Sequence, residues 1–203
     1  SLKQSGLEEP LAELGQTTSP LLPSLFAFNL PRHPLKDLAG VAVQHASVRT
    51  SPKSVAQVGP ILITHRGLSG PAILRTSAWD ARELAEVNYQ FTAEINWLGE
   101  NNKEHTGDQL AEFRKQRAIK KLKNNPFEKL PKRLWEKLVE LSGIDPVTTW
   151  AHLSKEAMNN LLNQLTTHQA VVSGKTMNKE EFVTCGGVSL KEVDFRTMES
   201  KLV

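Results

Sequence analysis

Between Tyr89 and Trp97 the chain alternates strictly. Tyr89, Phe91, Ala93, Ile95 and Trp97 are apolar, and Gln90, Thr92, Glu94 and Asn96 between them are polar. A period of two with one wet face predicts a strand of an antiparallel sheet or small barrel. Similar but weaker patterns predict strands at Leu25–Leu30, Val41–Thr50, Ile61–Ile63 and His168–Gly174. The polar stretch Ser51–Val58 reads as a hairpin loop, and Pro31–Gly40 as a connection with a helical turn at Leu35–Leu38. Ahead of these, Leu7, Leu11 and Leu14 predict a short helix stopped by Gly15 and broken off by Pro20 and Pro23. Lys175–Lys179 reads as a loop, and Glu181–Val183 as the approach to a last motif.

From Thr106 to Thr167 the period lengthens to that of helices. The first helix, near Gly107–Lys123, has only an imperfect stripe of Leu110, Phe113 and Leu122. A second opens at Pro131, carries Leu130, Leu134, Leu138 and Leu141 along one face, and stops before Gly143. A short third is expected over Pro146–Leu153. Ser154 caps a fourth, whose buried stripe is Met158, Leu161, Leu162 and Leu165. Such helices bury their faces only against one another, so they form a small bundle. The polar break at Gly99–Asn102 marks its start. The expected fold class is therefore α+β: a β-barrel-like antiparallel unit from residues 20–98 and 167–203, a helical bundle inserted at 99–166, and a preceding helical segment at 1–19.

Composition narrows the function classes. Apolar residues are 39% of the 203 positions and 12 glycines bring the share to roughly 45%, an ordinary proportion for a soluble globular protein. No apolar run approaches the roughly 20 residues of a membrane span, and no secretory leader pattern is present, so the chain reads as soluble and cytoplasmic. One cysteine, Cys185, excludes an internal disulfide and thiolate zinc sites. His33 and His45 lack partners at ligand spacing and read as structural or surface residues; no metal site is expected. The net charge is +3, with the basic excess concentrated between Arg114 and Lys137. Few aromatics are interleaved for base stacking, so a solvated helix face is the preferred reading and nucleic acid is not expected as a partner. Tight, steeply salt-dependent binding to nucleic acid would overturn that expectation.

The richest stretch is Gly59–Trp79, GPILITHRGLSGPAILRTSAW. It reads as a buried strand, a turn with Gly67 and Gly70, and a helix opened by Ser69-Gly70-Pro71. Its glycines permit close approach, and proline suits a first helical position. Leu74, Ala78, Ala81 and Ala85 are expected to face the core. The helix start favours an oxygen ligand, while a plain strand-turn-helix connection capped by Ser69 needs no ligand at all. Further on, Thr184-Cys185-Gly186-Gly187-Val188 follows a predicted strand and reads as a loop of exposed N–H groups able to cup an oxygen.

Two segments carry a family resemblance. THRGLSGPAILRTSAW resembles the THxGLSGPAxLxxSxW segment of bacterial flavoproteins of the BaiN and YhiN type, which are described as aminoacetone oxidase-like or NAD(P)/FAD-dependent oxidoreductases. EFVTCGGVSLKEVDFRTMESKLV resembles their EFVTxGGVxLxEVxxxTMESKxV segment, in the same order and about 120 residues on. The resemblance implies FAD as cofactor and places the chain in the central inserted region of a flavoprotein. Residues 1–19 would be the trailing helix of a FAD-binding domain whose remainder is the natural partner. It also implies flavin-facing roles for Thr184, Gly186, Gly187 and Val188, and for Thr64, Gly67, Ser69, Gly70 and Pro71. The two glycine-bearing turns would then lie side by side on one β framework.

His65, beside Arg66, is a candidate proton relay; Cys185 has no evident base and reads as an incidental thiol. The substrate is expected to be a small molecule, an amine, aminoketone or unsaturated ring ketone, with NAD(P)H a candidate reductant. Within these residues no GxGxxG follows a strand, so the segment alone is expected to fold without retaining FAD. The competing reading is an autonomous binding module whose basic helical bundle contacts nucleic acid or an acidic protein.

Overall fold

The computed structural model describes residues 8–51, 53–176 and 183–202. A short helix α1 (Glu8–Glu13) precedes β1 (Thr18–Ser24), β2 (Ala27–Asn29), a 3-10 turn (Lys36–Leu38), β3 (Ala42–Arg49), β4 (Gln57–Thr64) and β5 (Gly67–Ser69). Helices α2 (Pro71–Trp79) and α3 (Ala81–Glu86) lead to β6 (Gln90–Asn96). Then come α4 (Lys103–Gln116), a 3-10 turn (Leu122–Asn124), α5 (Lys132–Leu141) and α6 (Lys155–Thr166). The chain closes with β7 (His168–Ser173), β8 (Lys175–Thr176), β9 (Val183–Val188), a 3-10 turn (Leu190–Glu192), β10 (Val193–Asp194) and β11 (Glu199–Ser200).

Seven strands form a curled antiparallel half-barrel in the order β7-β6-β3-β4-β5-β2-β8. The α+β class is thereby realised. Strands β6 and β7, on either side of the helices in sequence, pair directly from Gln90↔Ser173 to Ile95↔His168. The strict alternation of β6 buries Ala93 and Ile95, and Trp97 just beyond it is buried as well. Phe26, Phe28 and Leu30 are also buried, as their spacing predicts, while Leu25 turns outward at φ +52 where β1 bends into β2.

Several expectations are corrected. Pro20 and Pro23 do not end a helix; they lie within β1, which makes a two-stranded sheet with β9. Proline lacks the N–H a central strand would need, so such a strand sits at an edge. Lys175–Thr176 is strand β8, paired with Ala27 and Phe28, and the rest of that expected loop, together with Glu181, lies outside the described residues. The single helix expected to run past Ala81 is broken at Asp80 into α2 and α3. Its buried face is Ala72, Ile73, Thr76 and Ser77 rather than Leu74 and Ala78. The hydroxyls make this possible: Thr76 donates to the Ala72 carbonyl (2.9 Å), while Ser77 donates to that of Leu74 (2.8 Å) and accepts from the Phe26 N–H (2.9 Å). Both are satisfied locally, so their burial carries no unpaired polar group.

In the helical region, α5 and α6 match their patterns. Leu134, Trp135, Leu138 and Val139 are buried on α5, Leu161 and Leu165 on α6, and Ser154 Oγ accepts from the Ala157 N–H (3.1 Å). Pro146–Leu153, expected to be helical, is a series of turns instead. Its Thr149 bridges to Lys121 and its Trp150 fills the core, so long-range contacts replace the local helix bonds. Among the described residues no helix is long and apolar enough to cross a membrane.

Candidate functional site

The β4–β5 hairpin turns through His65 and Arg66. Thr64 closes it from inside: its hydroxyl donates to the Gly67 carbonyl (3.1 Å) and accepts from the N–H groups of Gly67 (3.1 Å) and Arg66 (3.3 Å). Gly67 is buried against β2, pairing with Asn29, at φ +152. A Cβ there would lie 2.8 Å from Leu30 Cδ1 and 2.9 Å from the Leu30 nitrogen. A Cβ at Gly70 would meet the Pro60 carbonyl oxygen at 2.7 Å. These glycines are thus explained by strand-to-strand approach. Ser69 belongs to β5 and does not cap; the N-cap of α2 is Gly70, with Pro71 opening the helix. His65 is exposed at the hairpin tip, and among the described residues no hydrogen bond fixes its ring.

Thr184 to Val188, expected as a loop, is strand β9. Its register with β1 pairs Thr184 with Pro23, Cys185 with Leu22, Gly187 with Ser19 and Val188 with Thr18. The ladder shifts between Ser19 and Leu22, and Gly186 sits opposite that irregularity at φ +106. A Cβ on Gly186 would lie 2.9 Å from the Pro20 carbonyl carbon and 3.1 Å from the Ser19 oxygen. Among the described residues β9 pairs on one side only, so its outer edge offers unused backbone donors and acceptors. Just beyond it, the Glu192 carboxylate accepts from the Thr17 N–H (2.8 Å) and hydroxyl (2.5 Å), which ties the end of β9 to the start of β1.

The structure therefore gathers Thr64, Gly67, Ser69, Gly70 and Pro71 in one hairpin-helix unit, and Thr184, Gly186, Gly187 and Val188 in another strand. It does not place the two groups in one sheet: β5 and β8 take opposite edges of β2, while β9 pairs with β1. At Gly67, Gly70 and Gly186 the volume a side chain would fill is held by the chain's own backbone. The absence of a side chain at those three positions is therefore accounted for by packing within the chain. Clefts of about 410, 350 and 480 Å³ open elsewhere. The largest is lined by Gln44, His45, Trp97, Asn101 and Lys129 among others.

The sequence reading missed a histidine pair. His33 and His168 are both buried, 4% exposed each. Burial lowers the His33 pKa to about 4, and burial together with the charge of nearby His33 lowers that of His168 to about 4. Gln164 Oε1 lies 2.7 Å from His168 Nδ1, and the Trp97 ring packs beside it. A signal was available, because His168 shares its strand face with Ala170 and Val172, both buried.

A barrel-like sheet with helices between two paired strands has a counterpart among known families. The family model described as HI0933-like protein barrel and H2TH domain matches residues 22–183. The chain belongs to the HI0933-like family. This domain is part of the HI0933/YhiN/BaiN flavoprotein superfamily, which the two motifs had pointed to. Over 196 residues the chain is 32% identical to a protein named ribosomal RNA dihydrouridine synthase in Escherichia coli (strain K12), covering 94% of this chain and 45% of that protein. A protein of the same name in Haemophilus influenzae is 31% identical over 144 residues, covering 70% of this chain and 33% of its own length. The chain thus spans less than half the length of either relative.

Proposed function

We propose that this HI0933-like domain is the central part of a flavin-dependent reductase that converts uridine to dihydrouridine in ribosomal RNA. The observation that carries the reading is the similarity, across nearly the whole chain, to a relative of that name. The chemistry is close to one class inferred from the motifs, since the C5–C6 double bond of uracil is conjugated to the C4 carbonyl as in an unsaturated ring ketone. Reduction needs a hydride at C6 and a proton at C5, and a reduced flavin supplies hydride chemistry of this kind when bound. The substrate moves from a free small molecule to a base within RNA, and nucleic acid becomes the partner.

FAD is assigned to the complete protein, held chiefly by its FAD-binding domain. The outer edge of β9, with Thr184, Gly186, Gly187 and Val188, is the segment of this chain proposed to meet it. The Thr64–Pro71 unit supports it as scaffold. Leu190, Phe195, Met198 and Leu202, all beyond β9, are exposed apolar side chains that we propose the FAD-binding domain covers.

The test uses the complete protein. It should purify yellow and release flavin on denaturation. Ribosomal RNA from cells lacking it, digested to nucleosides and weighed by mass spectrometry, should lose dihydrouridine and regain it on complementation. Unchanged dihydrouridine in the deletion strain overturns the RNA reading. A colourless full-length protein overturns the flavin.

A further inference from the structure

Residues 114–137 hold ten Lys and Arg against two Glu, a net of +8 in a chain of net +3, so everything outside this stretch carries a net of −5. Of the ten cations, Lys115, Lys132 and Lys137 pair with Glu112, Glu136 and Glu140. The other seven have no carboxylate within salt-bridge range among the described residues. A face that served solubility alone would intersperse signs, whereas this one accumulates mutual repulsion.

The geometry of the α4–α5 connection adds a second observation. Its backbone is fixed to the turns before α6: the Leu122 N–H donates to the Thr148 carbonyl (3.0 Å), the Trp150 N–H to Lys120 (3.1 Å) and the Ala151 N–H to Ala118 (2.9 Å). Beneath it lies an aromatic core. Trp135 and Trp150 stack at 6.0 Å, Phe113 meets Trp150 and Phe127 edge-on, and Trp135 Nε1 donates to the Leu122 carbonyl (3.0 Å). The Arg117 guanidinium sits 4.6 Å over the Phe113 ring and donates to Asn125 Oδ1 (3.1 Å). Arg117, Lys120 and Lys121 are all exposed, with Ile119 exposed between them. The connection is thus a braced platform that projects cations, and the Arg117 side chain is settled before any partner arrives.

Resting on the reading of the substrate as RNA, we infer that the connection from Arg117 to Lys123 is an RNA-backbone clamp. Its ligand is the phosphate chain of folded ribosomal RNA, and it holds the substrate while the chemistry happens elsewhere in the protein. The scarcity of exposed aromatic rings here favours phosphate contact over base stacking, so the clamp positions without reading sequence.

The experiment uses the complete protein, a labelled RNA duplex of mixed sequence, and protein-free ribosomal RNA. Lys120→Glu/Lys121→Glu should weaken duplex binding about ten-fold or more at low salt and flatten the slope of log affinity against log salt by roughly two contacts' worth. The milder Lys120→Gln/Lys121→Gln should give a smaller change of the same sign, with an unaltered thermal melt showing that the fold is kept. Lys53→Glu/Arg82→Glu, with the same charge change on exposed positions outside the cluster, should leave affinity within about two-fold. If wild-type protein binds RNA and the Lys120/Lys121 variants bind equally well with the same salt slope, the clamp is wrong and the proposed activity stands. Should polyglutamate compete as well as RNA at equal phosphate and carboxylate concentration, the surface is a general anion site and the RNA assignment falls. If wild-type protein neither binds RNA nor alters its uridines, the functional reading falls first and the clamp with it.

Discussion

Two connections in this molecule lead into helices, and they are built from opposite materials. The hairpin from Thr64 to Gly70 carries glycine at 67 and 70, and the backbones of β2 and β4 occupy the space their missing side chains leave. The connection from Arg117 to Pro131 also has its backbone tied to neighbours, but carries long cations that meet no carboxylate among the described residues. Glycine at the first marks a contact already completed inside the chain. Charge without a carboxylate at the second is what the proposed RNA contact would use. Residue type at a turn thus tells less about function than what fills the volume around it.

That contrast can be broken most sharply at Gly67. If Gly67 serves internal packing, Gly67→Ala should destabilise the protein by about 4 kcal/mol, since a Cβ forces two backbones apart at an unfavourable φ. A urea titration that found the variant near wild-type stability would show that packing does not require the glycine. On the other side, Trp135→Phe removes the donor that holds the Leu122 carbonyl beneath the cationic connection. It should cost about 2 kcal/mol and weaken RNA binding although no charge is altered. Loss of stability with unchanged RNA affinity would show that bracing is irrelevant to binding.

The smallest effect is set by pH and belongs to the sheet. His33 and His168 have folded pKa values of about 4, below the ordinary 6.5. Between these values the unfolded chain binds more protons than the folded one, so stability is full above pH 6.5 and falls as pH drops towards 4. From pH 7 to pH 6 the two together should lose about 1 kcal/mol. Chemical denaturation across this range checks it, and His33→Asn should shallow the decline.

Legibility in the sequence followed locality. The period-two run before Trp97, the Ser154 cap and the stripes of α5 and α6 were readable because each writes its pattern into residues a few positions apart. Thr184–Val188 was misread as a loop because its partner, β1, lies about 160 residues earlier and contains prolines that usually argue against a strand. Pro146–Leu153 was misread as a helix because Trp150 is claimed by a distant aromatic core. The coupling of His33 to His168 was missed because only the tertiary structure brings the two within electrostatic range, although the inward register of His168 was there to be read.

What the amino-acid sequence determined alone is the class of the fold, its division between alternating and helical periods, and the family to which its glycine motifs belong. These depend on local periodicity and on residue identity, which survive without coordinates. Tertiary structure decided which glycines are enclosed by backbone, which edge of β9 is open among the described residues, and that seven cations between Arg114 and Lys137 stand without carboxylate partners among those residues. The reason is physical: volume and charge are compensated by whatever packs alongside, and the residues that pack alongside here come from far away in the chain.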